Sequence, residues 1–501
     1  MTGVDRRRFL GGAAATLAGT VLGSACSSGS SSPSSTPVRP SAGASAAGSS
    51  ASFPTRAEIE DWIERIVERG IRRPGYPADR WTEEFAHAEL RRAGLEDVRL
   101  EPVEVPRWDP GPAELLVIAA DGTSTALACF PVPYAAPVDG LDVELVAADS
   151  GVALAGKAAL VDARVVRMRP DALVGAGSAP SDPARRVYDP DDSFAEAEHA
   201  LPHTAERRRI LDPVIESGAA AFIGSLVDLP GGGHHYFVPY DGVARPIPGV
   251  WVSGEDGAWL RQQLAEGTVR VRLSVDATTT ATTSHNVVGE LPGADDDLVV
   301  VGSHHDGPWA SAVEDASGTA LVLAQAHHWT SVPRPERPHR MVFVLQAGHM
   351  CGGAGLDAYL ADHADDLDRI VLQVHLEHAA LEAEERDGTL VATDRCTPRW
   401  FFTSRIDRLE AAVYDALVAE DLRRSMVLAP DALGANPPTD GGRFHQHGVP
   451  LVQFLAAPSY LFEPTDTLDK VDGAHLVPLS RAAARVIRST AGVSAAAMRA
   501  G

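Results

Sequence analysis

The chain has 501 residues, 45% of them hydrophobic, enough to bury a large core and, as a first expectation, to form roughly two to three domains. Its 44 lysines and arginines stand against 68 aspartates and glutamates, a formal net charge of -24. That acidic excess is spread along the chain and excludes a nucleic-acid partner, which requires clustered basic side chains.

The N-terminus carries an address. Asp5-Arg6-Arg7-Arg8-Phe9-Leu10 places paired arginines ahead of an apolar run, Ala13 to Leu22, as in a twin-arginine export signal. The run is too short to span a membrane. Leu22-Gly23-Ser24-Ala25-Cys26 resembles a bacterial lipoprotein cleavage site, with the leucine one place further from the cysteine than usual. Residues 1–26 are therefore expected to be an export signal. Cys26 is expected to be a lipid anchor and the sole membrane attachment, which puts the body at the extracellular face of the cell membrane or, without the anchor, in the secreted pool. Residues 27–53, rich in Ser, Ala, Gly and Pro, read as a disordered tether. The other cysteines, Cys129, Cys351 and Cys396, are odd in number and far apart, which argues against a disulfide framework.

From Pro54 the pattern predicts two helices, Arg56 to Arg69 and Ala78 to Ala93, then a strand from Val98 to Val105. After Gly111 short β runs follow, at Glu114 to Ile118, Ala126 to Phe130, Leu141 to Val146 and Ala158 to Val161. The segment 111–283 resembles a protease-associated domain. The resemblance rests on Gly156-Lys157 before Ala158-Ala159-Leu160-Val161-Asp162, on Glu216-Ser217-Gly218-Ala219-Ala220-Ala221-Phe222-Ile223, and on Ile247-Pro248-Gly249-Val250-Trp251-Val252-Ser253. Such an insert is not catalytic and roofs the cleft. A polar excursion, Met168 to Pro202, interrupts it. From Ser284 strands alternate with helices to Ala491, which predicts an α/β fold with a doubly wound, mostly parallel sheet. The catalytic domain is thus expected in two pieces, 54–110 and 284–501.

The chemistry concentrates in Leu298 to Gly318, LVVVGSHHDGPWASAVEDASG. A buried-strand pattern delivers His304, His305 and Asp306 to a strand end, and one loop later come Glu314 and Asp315, ahead of a helix. Imidazole and carboxylate at one rim of a sheet suit a zinc site. If His304 points into the cleft, His305 points away.

With Asn286-Val287-Val288-Gly289, Gly302-Ser303-His304-His305-Asp306, Asp315-Ala316-Ser317-Gly318, Gly448-Val449-Pro450 and Pro464-Thr465-Asp466-Thr467, the order of motifs resembles the cocatalytic zinc aminopeptidase family, which includes the glutamate carboxypeptidases. The resemblance implies a zinc-exopeptidase-like fold, His304 as a ligand, and Asp306 as the carboxylate that orients it. It implies a bridging carboxylate at Glu314, with Asp315 as the alternative, and a further ligand at Glu377. It expects a general base and a second-zinc ligand where this chain has His349 and Met350, and a last histidine where it has Phe462. Both ligands private to the second zinc are therefore missing. The expectation is one zinc ion with an open position, an activated water as nucleophile, and His349 moving the proton. Asp440, His445, His378 and Trp309 are candidate substrate contacts, and His305, Asp315, His349 and His378 are extra ligand candidates for a rearranged site that the family would not predict. The reaction class is hydrolysis of a peptide or other amide bond, exopeptidase-like; the alternative is a catalytically impaired envelope lipoprotein that binds peptides or partners.

Overall fold

The computed structural model describes residues 52–170, 172, 182–195, 198–202, 207–435 and 437–500. The expected signal, the anchor at Cys26 and nearly all of the tether lie outside the described residues. No helix among the described residues is long and apolar enough to cross a membrane.

The centre of the fold is four parallel strands in the order Arg340–Gln346, Leu298–His304, Ile370–Leu376 and Leu451–Ala456. Each is buried nearly end to end, as expected of strands covered on both faces. Val300, Val342 and Val344 pack with Leu356, Tyr359 and Leu360 of the helix Ala354–Asp362 and with Phe444. The helix Gly318–Ser331, almost wholly buried, contacts Arg56–Val67, Pro77–Ala93 and Leu476–Arg488. The fold class is α/β, as read from the alternation of elements.

Two 23-residue strands, Glu96–Ile118 and Val269–Leu291, run antiparallel along almost their whole length. One end of Val269–Leu291 pairs with Arg340–Gln346 and the other with Val138–Ala147. From there the sheet continues through Ala158–Arg164, Ala221–Val227 and Gly249–Ser253, all parallel. The boundaries read from sequence at 110/111 and 283/284 fall inside these strands, where no break in composition marks the change of neighbours. The two short runs predicted at Val98 to Val105 and Glu114 to Ile118 are one strand. Within the 168–202 excursion, Val187–Tyr188 pairs with Ser425–Leu428, so this part of the chain reaches the far edge of the same sheet.

Candidate functional site

The carboxyl ends of the four central strands converge on one buried cluster, where ligands of parallel α/β sheets gather. His304 ends its strand fully buried. Its Nδ1 donates to the Asp306 backbone carbonyl at 2.9 Å, leaving Nε2 toward Glu314 Oε1 at 3.5 Å and Glu377 Oε1 at 4.0 Å. His305 turns to the opposite side, as strand alternation requires. There its Nδ1 lies 2.9 Å from Asp79 and its Nε2 donates to the His285 carbonyl.

Glu314 sits in the loop before the helix Gly318–Ser331, and its amide and that of Val313 donate to the Asp466 carboxylate at 2.9 and 2.8 Å. The buried Arg72 holds the same loop from below, donating to the carbonyls of His305, Ala310, Ser311 and Glu314. Asp315 has a different task. One oxygen accepts from the Gly318 amide at 3.0 Å and from the His378 amide at 3.4 Å, and the other is bonded to Ser303 Oγ. It caps the helix, and burial raises its pKa to about 7. Of the two expected alternatives, Glu314 and not Asp315 falls in a close grouping of candidate ligand atoms among the described residues. Gly318 is needed here, because a Cβ would collide with the Asp315 carboxylate and the Leu376 carbonyl.

Asp306 lies beside His304 and has a second task. Its carboxylate is 3.6 Å from His304 Nδ1, but its hydrogen bonds come from the amides of His349 at 3.1 Å and Met350 at 2.7 Å. It braces the turn that carries His349, while the Asp306 carbonyl orients His304.

His349 stacks on His304, with centroids 4.0 Å apart and planes 9° apart. Its Nδ1 bonds Asp440 Oδ1 at 2.9 Å and its Nε2 lies 3.9 Å from Glu314. Burial disfavours a charged ring, and the Asp440 carboxylate outweighs it and raises the His349 pKa well above the ordinary value. Glu377 is bonded to His375 Nε2 at 2.6 Å; burial opposes its charge, and His375 with its neighbours holds its pKa below the usual range. His378 Nδ1 donates to the Ala456 carbonyl at 2.6 Å, and its Nε2 approaches Glu314 Oε2 to 2.5 Å.

A cavity of about 120 Å³ opens onto this cluster, walled by Tyr240, Glu314, His349, His378, Trp400 and Phe462. Tyr240 stacks on both His349 and Phe462. Two expected substrate contacts lie elsewhere. Trp309 donates to the Phe462 carbonyl and packs on Phe130 and Arg73, so its indole props the wall from behind. His445 lies on the helix Gly441–Gln446 and does not line the cavity. Asp440 acts through His349. Arg72 and Tyr240 escape a reading of the sequence, because their partners are far along the chain and no local pattern marks them; Asp466 stands in the Pro464-Thr465-Asp466-Thr467 motif, but its hold on the Glu314 loop is set by the tertiary fold.

Fold and cluster together define an α/β protein with imidazoles and carboxylates gathered at the ends of parallel strands. Residues 286–487 match the model of Peptidase family M28. Among solved structures it resembles a Peptidase M28 precursor from Shewanella amazonensis, at 22% identity over 87% of this chain and 93% of that one, with a TM-score of 0.65. It also resembles a zinc aminopeptidase from Bacillus subtilis (18% identity, 88% and 96% covered, TM-score 0.60). The aminopeptidase from Aneurinibacillus sp. strain AM-1 is similar at 18% identity, 88% and 94% covered and a TM-score of 0.59. No curated protein matches the chain.

Proposed function

We propose that this protein is a metal-dependent hydrolase of amide bonds, exopeptidase-like, working with one zinc ion. The observation that carries the reading is a cluster of buried ligand-type atoms at one place: His304 Nε2 and Glu377 Oε2 have no hydrogen-bond partner, and Glu314 Oε2 and His378 Nε2 have only each other, 2.5 Å apart. Buried polar atoms without partners are costly, and a cation would satisfy these. Nitrogen and carboxylate oxygen suit zinc, so His304 and Glu314 would hold it, with Glu377 as the third ligand that the resemblance implies.

Bound zinc supplies polarisation of the substrate carbonyl and a lowered pKa for the attacking water. A bound cation would oppose the charge that Asp440 favours on His349, and the neutral ring, with Nδ1 held by Asp440, would offer Nε2 to accept the water proton and return it to the leaving amine. Asp306 keeps His349 in place through two backbone amides. The cavity admits the acyl side of the substrate against Trp400 and Phe462. Met350 and Phe462, apolar and buried, stand where the resemblance expects the second zinc ligands. A charged α-amine therefore meets no second metal centre, and neutral, N-blocked amides are the favoured substrates.

In this reading 54–110 with 284–501 form the catalytic body, and 111–283 the roof that contributes Tyr240. Export by the twin-arginine signal and tethering through Cys26 place the enzyme outside the cell. The same two apolar positions favour a second reading, a tethered binding protein without activity. The test is hydrolysis of paired N-acetyl and free-amine amino acid anilides by the zinc-loaded chain. Turnover of the acetylated substrates, lost in His304→Ala, is expected. No turnover of either, by protein with zinc bound, rejects the enzyme reading.

A further inference from the structure

Three imidazoles present Nε2 to the Glu314 carboxylate: His378 at 2.5 Å, His304 at 3.5 Å and His349 at 3.9 Å. All three are anchored through Nδ1, His304 on the Asp306 carbonyl, His378 on the Ala456 carbonyl and His349 on the Asp440 carboxylate. When Nδ1–H is committed to a carbonyl, Nε2 is the nitrogen that gives up its proton when a cation arrives, and the lone pair it exposes is the form in which histidine binds a metal. For His304 and His378 that partner is a backbone carbonyl, which cannot itself supply a proton.

Ring orientation then separates the three. An Nε2 lone pair lies in the plane of its ring. The planes of His304 and His349 are 9° from parallel with centroids 4.0 Å apart, so one ion cannot lie in both. An ion in the His304 plane stands well out of the His349 plane, whereas a zinc–nitrogen bond is only ~2.0 to 2.1 Å long. Although His304, His349 and Glu377 lie close enough to share an ion by distance alone, the stack of the two rings argues against that set.

His304, Glu314 and His378 form the other close grouping, with ligand atoms within 4.8 Å of one another and all three side chains buried. His378 holds its place with a backbone φ of 56°, uncommon for a residue with a side chain and a feature found where a site dictates the conformation. We propose that His378 is a metal ligand: His304, Glu314 and His378 hold one zinc-type cation, and His349 stays outside its coordination. Two imidazoles and one carboxylate with an open fourth position form a catalytic type of zinc site. In this chain a histidine from the end of the Ile370–Leu376 strand thus offsets the ligands lost at Met350 and Phe462. The assignment rests on the reading above only for the presence of a metal.

The test is zinc binding by the chelator-stripped full chain, titrated against a chromophoric competitor, with the cobalt(II) absorption spectrum as a second readout. Wild type is expected to take up one equivalent. His378→Ala and His304→Ala are expected to weaken binding by roughly 100-fold or more and to alter the cobalt spectrum, while His349→Ala stays within about tenfold of wild type. Circular dichroism of each stripped variant, with His378→Gln as a larger replacement, separates ligand loss from misfolding. Wild-type affinity in a folded His378→Ala or His378→Gln, or equal losses in the His349 and His378 variants, overturns the assignment. Zinc binding that depends on His378 without amide hydrolysis supports the ligand and defeats only the enzymatic reading; a wild type that binds no metal defeats both.

Discussion

The backbone amide of Met350 donates to Asp306 Oδ2 across 2.7 Å, and the neighbouring His349 amide donates to Oδ1 at 3.1 Å. A carboxylate expected to steer an imidazole thus holds a turn. Hydrogen bonds to a charged, buried acceptor contribute roughly 1.5 to 3 kcal/mol each. Asp306→Ala is therefore expected to lower stability by about 3 to 5 kcal/mol in denaturant unfolding of the stripped protein, and Asp306→Asn, which keeps one acceptor oxygen, by less. A loss below about 1 kcal/mol in the alanine variant would show that the turn is held by something else.

Arg72 performs the matching task on the other side of the metal loop. Its guanidinium is wholly buried, donates to four carbonyls between His305 and Glu314, and offsets the charge of Asp466 and Asp315. Arg72→Met strands those carbonyls and leaves the carboxylates without a counter-charge, a change expected to cost about 3 to 5 kcal/mol. Arg72→Lys is expected to recover little, since an ammonium cannot reproduce the planar fork. Thermal unfolding of either variant within a degree of wild type would contradict this account.

The strands were legible because buried parallel strands leave long apolar runs, as in Leu298–His304 and Ile370–Leu376. His304 and Glu314 were legible because a strand end and the following loop keep them near each other in sequence. The division of labour between Glu314 and Asp315 was not, because it depends on which carboxylate meets the Gly318 amide. The pairing of His349 with Asp440 joins residues 91 apart, and Arg72 meets its carbonyls more than 230 residues away. Such contacts belong to the tertiary fold, and no period or motif encodes them. The continuous strand Glu96–Ile118 was hidden by Pro106, Pro110 and Pro112, which read as breaks in the sequence.

His328 predicts how stability responds to acid. It is buried against Phe53, and Arg488 donates to its Nε2 at 2.9 Å, which requires a neutral ring. Burial, reinforced by the Arg488 charge, lowers its pKa from 6.5 to about 4. Between those values the unfolded chain binds a proton that the folded chain does not, so this contribution is complete above pH 6.5 and is lost as pH falls toward 4. His328→Gln removes the titration, and the drop in Tm between about pH 6.5 and about pH 4.5 is expected to shrink by a few degrees relative to wild type. An unchanged drop would mean that His328 does not contribute to acid sensitivity.

Met350 and Phe462 belong to one buried apolar cluster, and Phe462 is pinned by its stack with Tyr240. If these two side chains are what limits the site to one ion, Met350→Glu combined with Phe462→His restores the ligand types that the resemblance expects there. Stripped of metal, the double variant is expected to be less stable by a few kcal/mol, because the introduced carboxylate takes the place of a methionine that is fully buried. Zinc is expected to return that stability, since binding to the folded state alone shifts the unfolding equilibrium. Metal analysis of the dialysed variant should then give two equivalents where the wild type gives one. A folded double variant that still holds one equivalent would show that the second position is closed by the geometry of the strand ends rather than by the two apolar side chains.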